Sequence, residues 1–278
     1  MGYKTILTII TSDDQQTQLD AAIEIARRKD AHLEVFCLGV DHSQAGYYYA
    51  GASAYVFQET IDRALAAAEA LEADVRTRLG AEDIRWSVES AVAQVGGLTT
   101  LIGMRARYSD LVVLTRPYGE NAAPDAVAVT EAALFEGSAP VLIVPDTGLP
   151  ADFGKKIMIA WNQSEEAMTA VRRAMPLLAR ADSVEVTVID PSPDGAEGAD
   201  PGAALAQMLD RHGIRVDVAV LARTQTLISD IIDRRAEEIG ADLIVMGAYG
   251  HSRFRQAILG GATRNMLGKA NIPVLMAR

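Results

Sequence analysis

The chain has 278 residues, of which 49% are hydrophobic and 23% charged, which predicts a full buried core and excludes disorder. Its formal net charge of −11 disfavours binding to nucleic acid or to an anionic membrane. The sequence has no apolar stretch of about 18 residues, which excludes a membrane-spanning helix. The single cysteine, Cys37, cannot form an internal disulfide or build a zinc site alone. The first 14 residues, MGYKTILTIITSDD, do not have the small-residue cleavage site of a signal peptide. We therefore expect a cytoplasmic protein.

The charge is unevenly distributed along the chain. Residues 1–146 contain 11 basic and 21 acidic residues, a net charge of −10, whereas residues 147–278 contain 15 and 16, a net charge of −1. An anionic ligand is therefore tolerated better by the second half than by the first.

Three short segments occur twice and in the same order, which indicates a duplicated domain. The pairs are Lys4-Thr5-Ile6-Leu7 with Lys155-Lys156-Ile157-Met158, Asp110-Leu111-Val112-Val113 with Asp242-Leu243-Ile244-Val245, and Pro140-Val141-Leu142-Ile143 with Pro273-Val274-Leu275-Met276. The turn-rich segment 145–150 joins the copies. We predict one domain at residues 1–146 and a second at 152–278.

Short apolar runs alternate with helical patterns in each half. In the first half the sequence predicts strands that include residues 4–7, 33–38, 111–114 and 141–144, and a long helix over 62–79. In the second half it predicts strands at 156–161, 184–189, 214–221, 242–246 and 272–276, with helices at 164–180, 201–212, 226–239 and 261–270. Apolar strands with helical crossovers are typical of an α/β fold with a parallel sheet covered on both faces.

In such a sheet, ligands bind beyond the carboxyl ends of the strands, where the strand order reverses. The loop after the fourth strand of the second half is rich in glycine. Gly247 is followed by two residues and Gly250, and then by nine residues and Gly260. Glycines let the backbone approach a ligand closely, and the start of the following helix offers unpaired N–H groups to a phosphate. Those groups belong to Gly260, Gly261, Ala262 and Thr263, and Thr263 adds a hydroxyl. Close packing of a helix on the sheet is the alternative explanation of these glycines.

This spacing, after a fourth strand and before a helix, resembles the motif of the universal stress protein family, and the shared element order extends the resemblance over nearly the whole chain. The resemblance implies two doubly wound domains, each a five-stranded parallel sheet of order 3-2-1-4-5 with helices on both faces. It also implies an ATP site, with or without Mg²⁺, with the phosphates at the glycine loop and the adenine near the ends of the first two strands. The residues at those strand ends are Asn162, Ser164, Val188 and Ile189.

Two positions differ from the family pattern. Gly261 replaces the Ser or Thr that follows the last glycine, and Asn162 replaces the Asp at the end of the first strand. An asparagine can still donate and accept hydrogen bonds to adenine or ribose. Ser164 has an alternative interpretation as a helix N-cap, and Val188 and Ile189 have one as ordinary strand residues.

The first half lacks the glycine motif. Aligned on the fourth strand, Arg116 and Gly119 take the places of Gly247 and Gly250, and Val129 and Thr130 those of Gly260 and Gly261. We therefore predict a degenerate nucleotide site in the first domain. A run of tyrosines, 47–49, follows the second strand, and it forms a partner surface, a lid over the cleft, or a loop lying on its own domain.

The sequence thus favours a stress-response regulatory protein that binds an adenine nucleotide in its second domain. No catalytic base and no metal-ligating cluster is recognisable, so it is at most a slow ATPase. One alternative is a nucleotide-free interaction protein, and another is an adenylate-handling enzyme. Family domains pair through their fifth strands, which implies pairing of the two halves within the chain and leaves homodimerisation and a further protein partner open.

Overall fold

The computed structural model describes residues 2–42, 54–119, 122–191, 200–249 and 261–278, without the side chains of 54–57. The described chain divides into two compact units. The N-terminal unit comprises residues 2–115 and 122–139, and the C-terminal unit comprises residues 116–119 and the described residues from 140 onward. The loop after the fourth strand of the first half thus clusters with the second half.

Ten strands and eight α-helices alternate within the described residues. The strands are β1 (Thr5–Ile10), β2 (His32–Asp41), β3 (Arg85–Gln94), β4 (Leu111–Thr115), β5 (Val141–Val144), β6 (Lys156–Trp161), β7 (Ser183–Ile189), β8 (Val216–Leu221), β9 (Leu243–Gly247) and β10 (Val274–Ala277). The helices are α1 (Gln16–Lys29), α2 (Ala54–Leu79), α3 (Leu98–Ala106), α4 (Ala126–Phe135), α5 (Glu165–Leu178), α6 (Ala203–Arg211), α7 (Ile228–Ile239) and α8 (Ala262–Lys269). The doubly wound α/β class predicted from the alternating pattern is confirmed.

The N-terminal unit contains four parallel strands in the order β3-β2-β1-β4. β1 is central and almost entirely buried, which explains its continuous apolar run. Helix α1 packs against β1 and β4, α2 packs against β2 and β3, and α3 and α4 pack against each other. Cys37 lies fully buried in β2, and burial raises the pKa of its thiol to about 12, so it is a small core residue as predicted.

The C-terminal unit contains six strands in the order β5-β10-β9-β6-β7-β8. The strands of the second half are all parallel and follow the predicted order 3-2-1-4-5. β5 joins them antiparallel to β10, with Ile143 opposite Val274. The predicted pairing of the two fifth strands is confirmed, and it adds the fifth strand of the first half to the sheet of the second half. The repeat boundary between residues 146 and 152 stays a prediction.

The aspartate repeated before β4 and β9 ties the first strand of each half to the fourth. The Oδ2 atom of Asp110 accepts hydrogen bonds from the backbone N atoms of Lys4 and Thr5, at 2.7 and 3.0 Å. The carboxylate of Asp242 accepts three such bonds, at 2.7 to 2.9 Å, from the N–H groups of residues 154–156. Both repeated aspartates therefore satisfy backbone donors at a strand start.

Candidate functional site

The second half has a crevice at the carboxyl end of β6, where the strand order reverses. β6 lies between β7 and β9, with Trp161 opposite Val188 and Ala160 opposite Met246. The residues that end or follow these three strands therefore meet at one edge of the sheet. The structure thus brings together Asn162, Ile189 and Gly247, which the sequence placed in one site.

Asn162 and Ser164 form a capping turn at the start of α5. The Oγ atom of Ser164 accepts a hydrogen bond from the N atom of Ala167 at 3.1 Å. The Oδ1 atom of Asn162 accepts from the N and Oγ atoms of Ser164, at 3.2 and 2.8 Å. The N-cap interpretation of Ser164 is therefore confirmed. Asn162 itself is exposed, and no hydrogen bond joins its Nδ2 atom to the described residues.

Gly247 lies where α5 approaches β9 most closely. A Cβ atom at this position would lie 2.6 Å from the N atom of Ala167 and 2.8 Å from the carbonyl carbon of Glu166. Only glycine allows this contact between helix and strand backbones. Close packing of α5 on β9 therefore requires this glycine of the motif.

Helix α8 starts with bare backbone. Gly261 is its N-cap, with φ −61° and ψ 153°, and no side chain among the described residues caps the helix by a hydrogen bond. Ala262 follows as the first helical residue. Thr263 is buried, and its Oγ1 atom accepts a hydrogen bond from the N atom of Tyr249 at 3.2 Å. That oxygen therefore anchors the start of the glycine loop, a role that the sequence analysis did not predict.

The remaining predicted residues divide into strand residues and residues outside the described chain. Val188 is buried in the core, as expected of an ordinary strand residue. Ile189 ends β7 and pairs with Leu221 of β8. A backbone contact of these two residues with adenine stays a prediction. Gly250 and Gly260 lie outside the described residues, as does the tyrosine run 47–49.

Charge near the start of α8 comes from Arg264, which is exposed on the first turn. Its guanidinium carbon lies 5.3 Å from the ring centre of Tyr118, a cation–π contact. In the part of the chain that is described, no group of three or more His, Cys, Asp or Glu side chains could hold a metal ion. None of the helices described there is long and apolar enough to cross a membrane.

The counterpart in the first half differs from the sequence-based alignment. Val129 and Thr130, which the alignment placed opposite Gly260 and Gly261, lie inside α4 and are both buried. The alignment is wrong here because α4 already begins at Ala126, so these two residues do not precede the helix as Gly261 does. The alignment is also wrong by one residue at the strand end, because Thr115, and not Arg116, ends β4 as Gly247 ends β9.

The architecture defines a doubly wound α/β protein of two sequence repeats with a crevice at a strand-order reversal. Residues 154–278 match the model of the universal stress protein family. A universal stress protein of Synechocystis is 36% identical over 72 residues, which are 26% of this chain and 24% of that protein. One of Methanocaldococcus jannaschii is 40% identical over 43 residues, 16% of this chain and 26% of that protein. The matched segments thus span about a quarter of these relatives.

A solved universal stress protein from Archaeoglobus fulgidus has a similar fold throughout. It is 16% identical, with a TM-score of 0.74, and the alignment covers 99% of this chain and 98% of that one. The second half of the chain thus matches the universal stress protein family, and the whole chain shares its fold with this solved structure.

Proposed function

We propose that this chain is a stress-response regulatory protein that binds ATP, or a related adenine nucleotide, in the crevice of its second half. The observation that carries the proposal is the start of α8. Gly261 and Ala262 present backbone N–H groups that no described side chain caps, and the hydrogen bond from Tyr249 to Thr263 holds this helix start near the carboxyl end of β9. Such a helix start, with its positive dipole end, suits the phosphates of a nucleotide.

Electrostatics support the choice of the second half. Its net charge is −1, against −10 for the first half, so it repels a polyphosphate less. Arg264 supplies a cation one turn into α8. In this proposal Asn162 Nδ2 donates to the adenine or the ribose, and the N–H groups of residues 260–263 bind the phosphates, with or without Mg²⁺.

Titration calorimetry with ATP and Mg²⁺ tests the proposal on the intact protein. Gly261→Val is a suitable variant because the backbone of Gly261, at φ −61° and ψ 153°, is open to any residue, so the added side chain obstructs the phosphates without straining the chain. We expect the dissociation constant to rise at least tenfold. Gly96→Val is the control, since no atom lies within 4 Å of its added Cβ atom.

The proposal is wrong if the wild-type protein releases no heat with millimolar ATP, or if Gly261→Val binds ATP as the wild type does. A lost signal in the Gly96→Val control would instead indicate general damage to the fold. Mass spectrometry of the purified protein provides a second measurement, because a tightly bound nucleotide co-purifies.

A second candidate function is that of an interaction protein without nucleotide. The capping turn favours it, because Asn162 Oδ1 and Ser164 Oγ satisfy each other and Ala167 instead of a ligand. Nucleotide released by acid from the pure protein would contradict this candidate.

We further propose that any ATP hydrolysis is slow, since no residue of the described site is placed as a general base. A phosphate-release assay tests this point and also the adenylate-handling enzyme alternative. A cytoplasmic location and a homodimer stay predictions, and the molecular mass in solution tests the latter.

A further inference from the structure

The N-terminal unit has its own crevice at the carboxyl ends of β1 and β4, and a glutamine fills it. Gln18, in the first turn of α1, is only 1% exposed. The cavity left beside it has a volume of about 10 Å³, which is near the minimum for one water molecule and far too small for a nucleotide. The polar side chains that line this cavity are Thr11, Gln15, Gln18, Thr115 and Thr130.

Every hydrogen-bonding site of the Gln18 carboxamide is used. Its Nε2 atom donates to the carbonyl oxygen of Ile9 at 2.7 Å and to Thr8 Oγ1 at 3.0 Å. Its Oε1 atom accepts from the N and Oγ1 atoms of Thr115, at 2.9 and 3.1 Å, and from Gln15 Nε2 at 3.1 Å. A primary amide has two donors and one oxygen with two lone pairs, so this side chain is saturated.

Gln15 closes the crevice from the solvent side. Its Oε1 atom accepts hydrogen bonds from the backbone N atoms of Thr11 and Ser12, at 2.7 and 3.1 Å. The N–H groups that follow β1 are therefore also occupied, by the side chain of the residue that precedes α1. The pair Gln15 and Gln18 leaves this edge of the sheet without free backbone donors at Thr11, Ser12 and Thr115.

The second half has no glutamine at the position of Gln18 to fill its crevice. Gln18 is the third residue of α1, and the third residue of α5 is Ala167. Thr115 follows Asp110 at the same spacing at which Gly247 follows the repeated Asp242. Gln18 and Thr115, which are hydrogen-bonded in the first half, thus correspond to Ala167 and Gly247, whose backbones are in close contact.

We propose that the carboxamide of Gln18 is an internal ligand of the first crevice. It binds the carbonyl group at the end of β1 and the N–H group at the end of β4, which are the acceptor and the donor that an external ligand would meet at a strand-order reversal. The native crevice is therefore closed to nucleotides, and removal of the side chain converts it into a receptor for a small primary amide. This inference rests on the N-terminal unit alone and holds whether or not the second half binds ATP.

Thermal unfolding of the full chain tests the inference with two variants. Gln18→Met keeps the volume and loses all five hydrogen bonds, so we expect its midpoint to fall by about 5–10 °C, because buried polar partners are left unpaired. Gln18→Ala also opens space for acetamide, which has the heavy atoms of the removed group. Gln16→Ala, an exposed glutamine of the same helix, is the matched control.

Acetamide at about 0.1 M, roughly 100 times a millimolar dissociation constant, is expected to raise the midpoint of Gln18→Ala by about 5 °C. It should have no such effect on the wild type, on Gln18→Met or on Gln16→Ala, and ethanol should not replace it. An equal shift in all four proteins overturns the inference. A Gln18→Met variant as stable as the wild type also overturns it, since the glutamine would then only fill volume, and this comparison decides even if Gln18→Ala does not fold.

Discussion

Thr263 Oγ1 accepts a hydrogen bond from the backbone N atom of Tyr249, and this bond joins the end of β9 to the first turn of α8. Tyr249 is buried and has a φ of +56°, an uncommon conformation for a bulky residue, so the contact holds the chain in a strained turn. In the first repeat Thr130 corresponds to Thr263, because each lies ten residues before the proline that precedes the fifth strand, Pro140 or Pro273. Tyr249 is the second residue after β9, and the second residue after β4 is Pro117, which has no N–H group. Among the described residues the Thr130 hydroxyl has no hydrogen-bond partner.

The two threonines should therefore respond differently to the same change. Thr263→Val removes the buried hydroxyl that accepts the hydrogen bond from Tyr249 N, and it is expected to reduce the free energy of unfolding by about 1–3 kcal/mol. Thr130→Val removes a buried hydroxyl that already lacks a partner, so it is expected to be neutral or stabilising. Urea denaturation of both variants measures the difference, and equal losses would contradict the assigned hydrogen bond.

Gly247 should be needed for stability even without any ligand. Gly247→Ala places a Cβ atom within 2.6 Å of the α5 backbone, and we expect a loss of about 1–3 kcal/mol as helix and strand move apart. Gly268→Ala is the control, since its added Cβ atom meets only Tyr118 Cβ, at 3.6 Å. Thermal unfolding in nucleotide-free buffer measures both. A stable Gly247→Ala variant would mean that the glycine serves a ligand and not the packing.

A bidentate ion pair links α7 to β7. Arg235 Nε and Nη2 donate to Glu185 Oε1 and Oε2, at 2.9 and 2.7 Å, and the pair is largely buried. Arg235→Ala leaves the Glu185 carboxylate without its main partner and is expected to cost about 2–4 kcal/mol. The neighbouring Arg234→Ala, which loses an exposed ion pair with Glu238 and an exposed hydrogen bond to Thr224 Oγ1, should change stability by less than about 0.5 kcal/mol. Similar losses from both variants would contradict the special role of the buried pair.

Asp233 should make stability depend on pH. Burial, and then the nearby charges of Asp230 and Glu237, raise the pKa of Asp233 from 3.8 to about 6, against a smaller opposing effect of Lys269. The folded state thus binds the proton more tightly than the unfolded state, so this contribution to stability is complete below pH 3.8 and is lost as the pH rises through 6.

Asp233→Asn removes this titration. Because Asp233 is half-exposed and screened by solvent, we expect the variant to gain only about 1 kcal/mol over the wild type between pH 4 and pH 7. Chemical denaturation across this range measures the difference, with the exposed Asp217→Asn as the control. A gain that does not vary with pH would contradict the raised pKa.

The sequence predicted the features of the fold that repeat. Apolar strands, crossover helices and the duplicated Asp-Leu and Pro-Val segments are local patterns that burial imposes, so they placed β1, β4, β6 and β9 correctly. The pairing of β5 with β10 followed from the family resemblance. That β5 clusters with the second half was not predicted, because this division depends on contacts between distant segments.

The candidate site was predicted less completely. Ser164 as an N-cap follows from a local preference. The carboxamide network of Gln18 could not be predicted, because its partners come from β1 and β4, far apart in the chain. Val129 was misplaced because alignment from a strand loses its register when the next helix starts at a different distance.

The antiparallel contact between β5 and β10 has a consequence for folding during synthesis. β5 ends the first repeat, but its partner strand ends the second, so the ribosome must complete almost the whole second repeat before this edge can be covered. Until then a short, wholly apolar strand is a template for other nascent chains. The risk that the nascent chain aggregates through β5 would thus depend on how quickly the second repeat is synthesised.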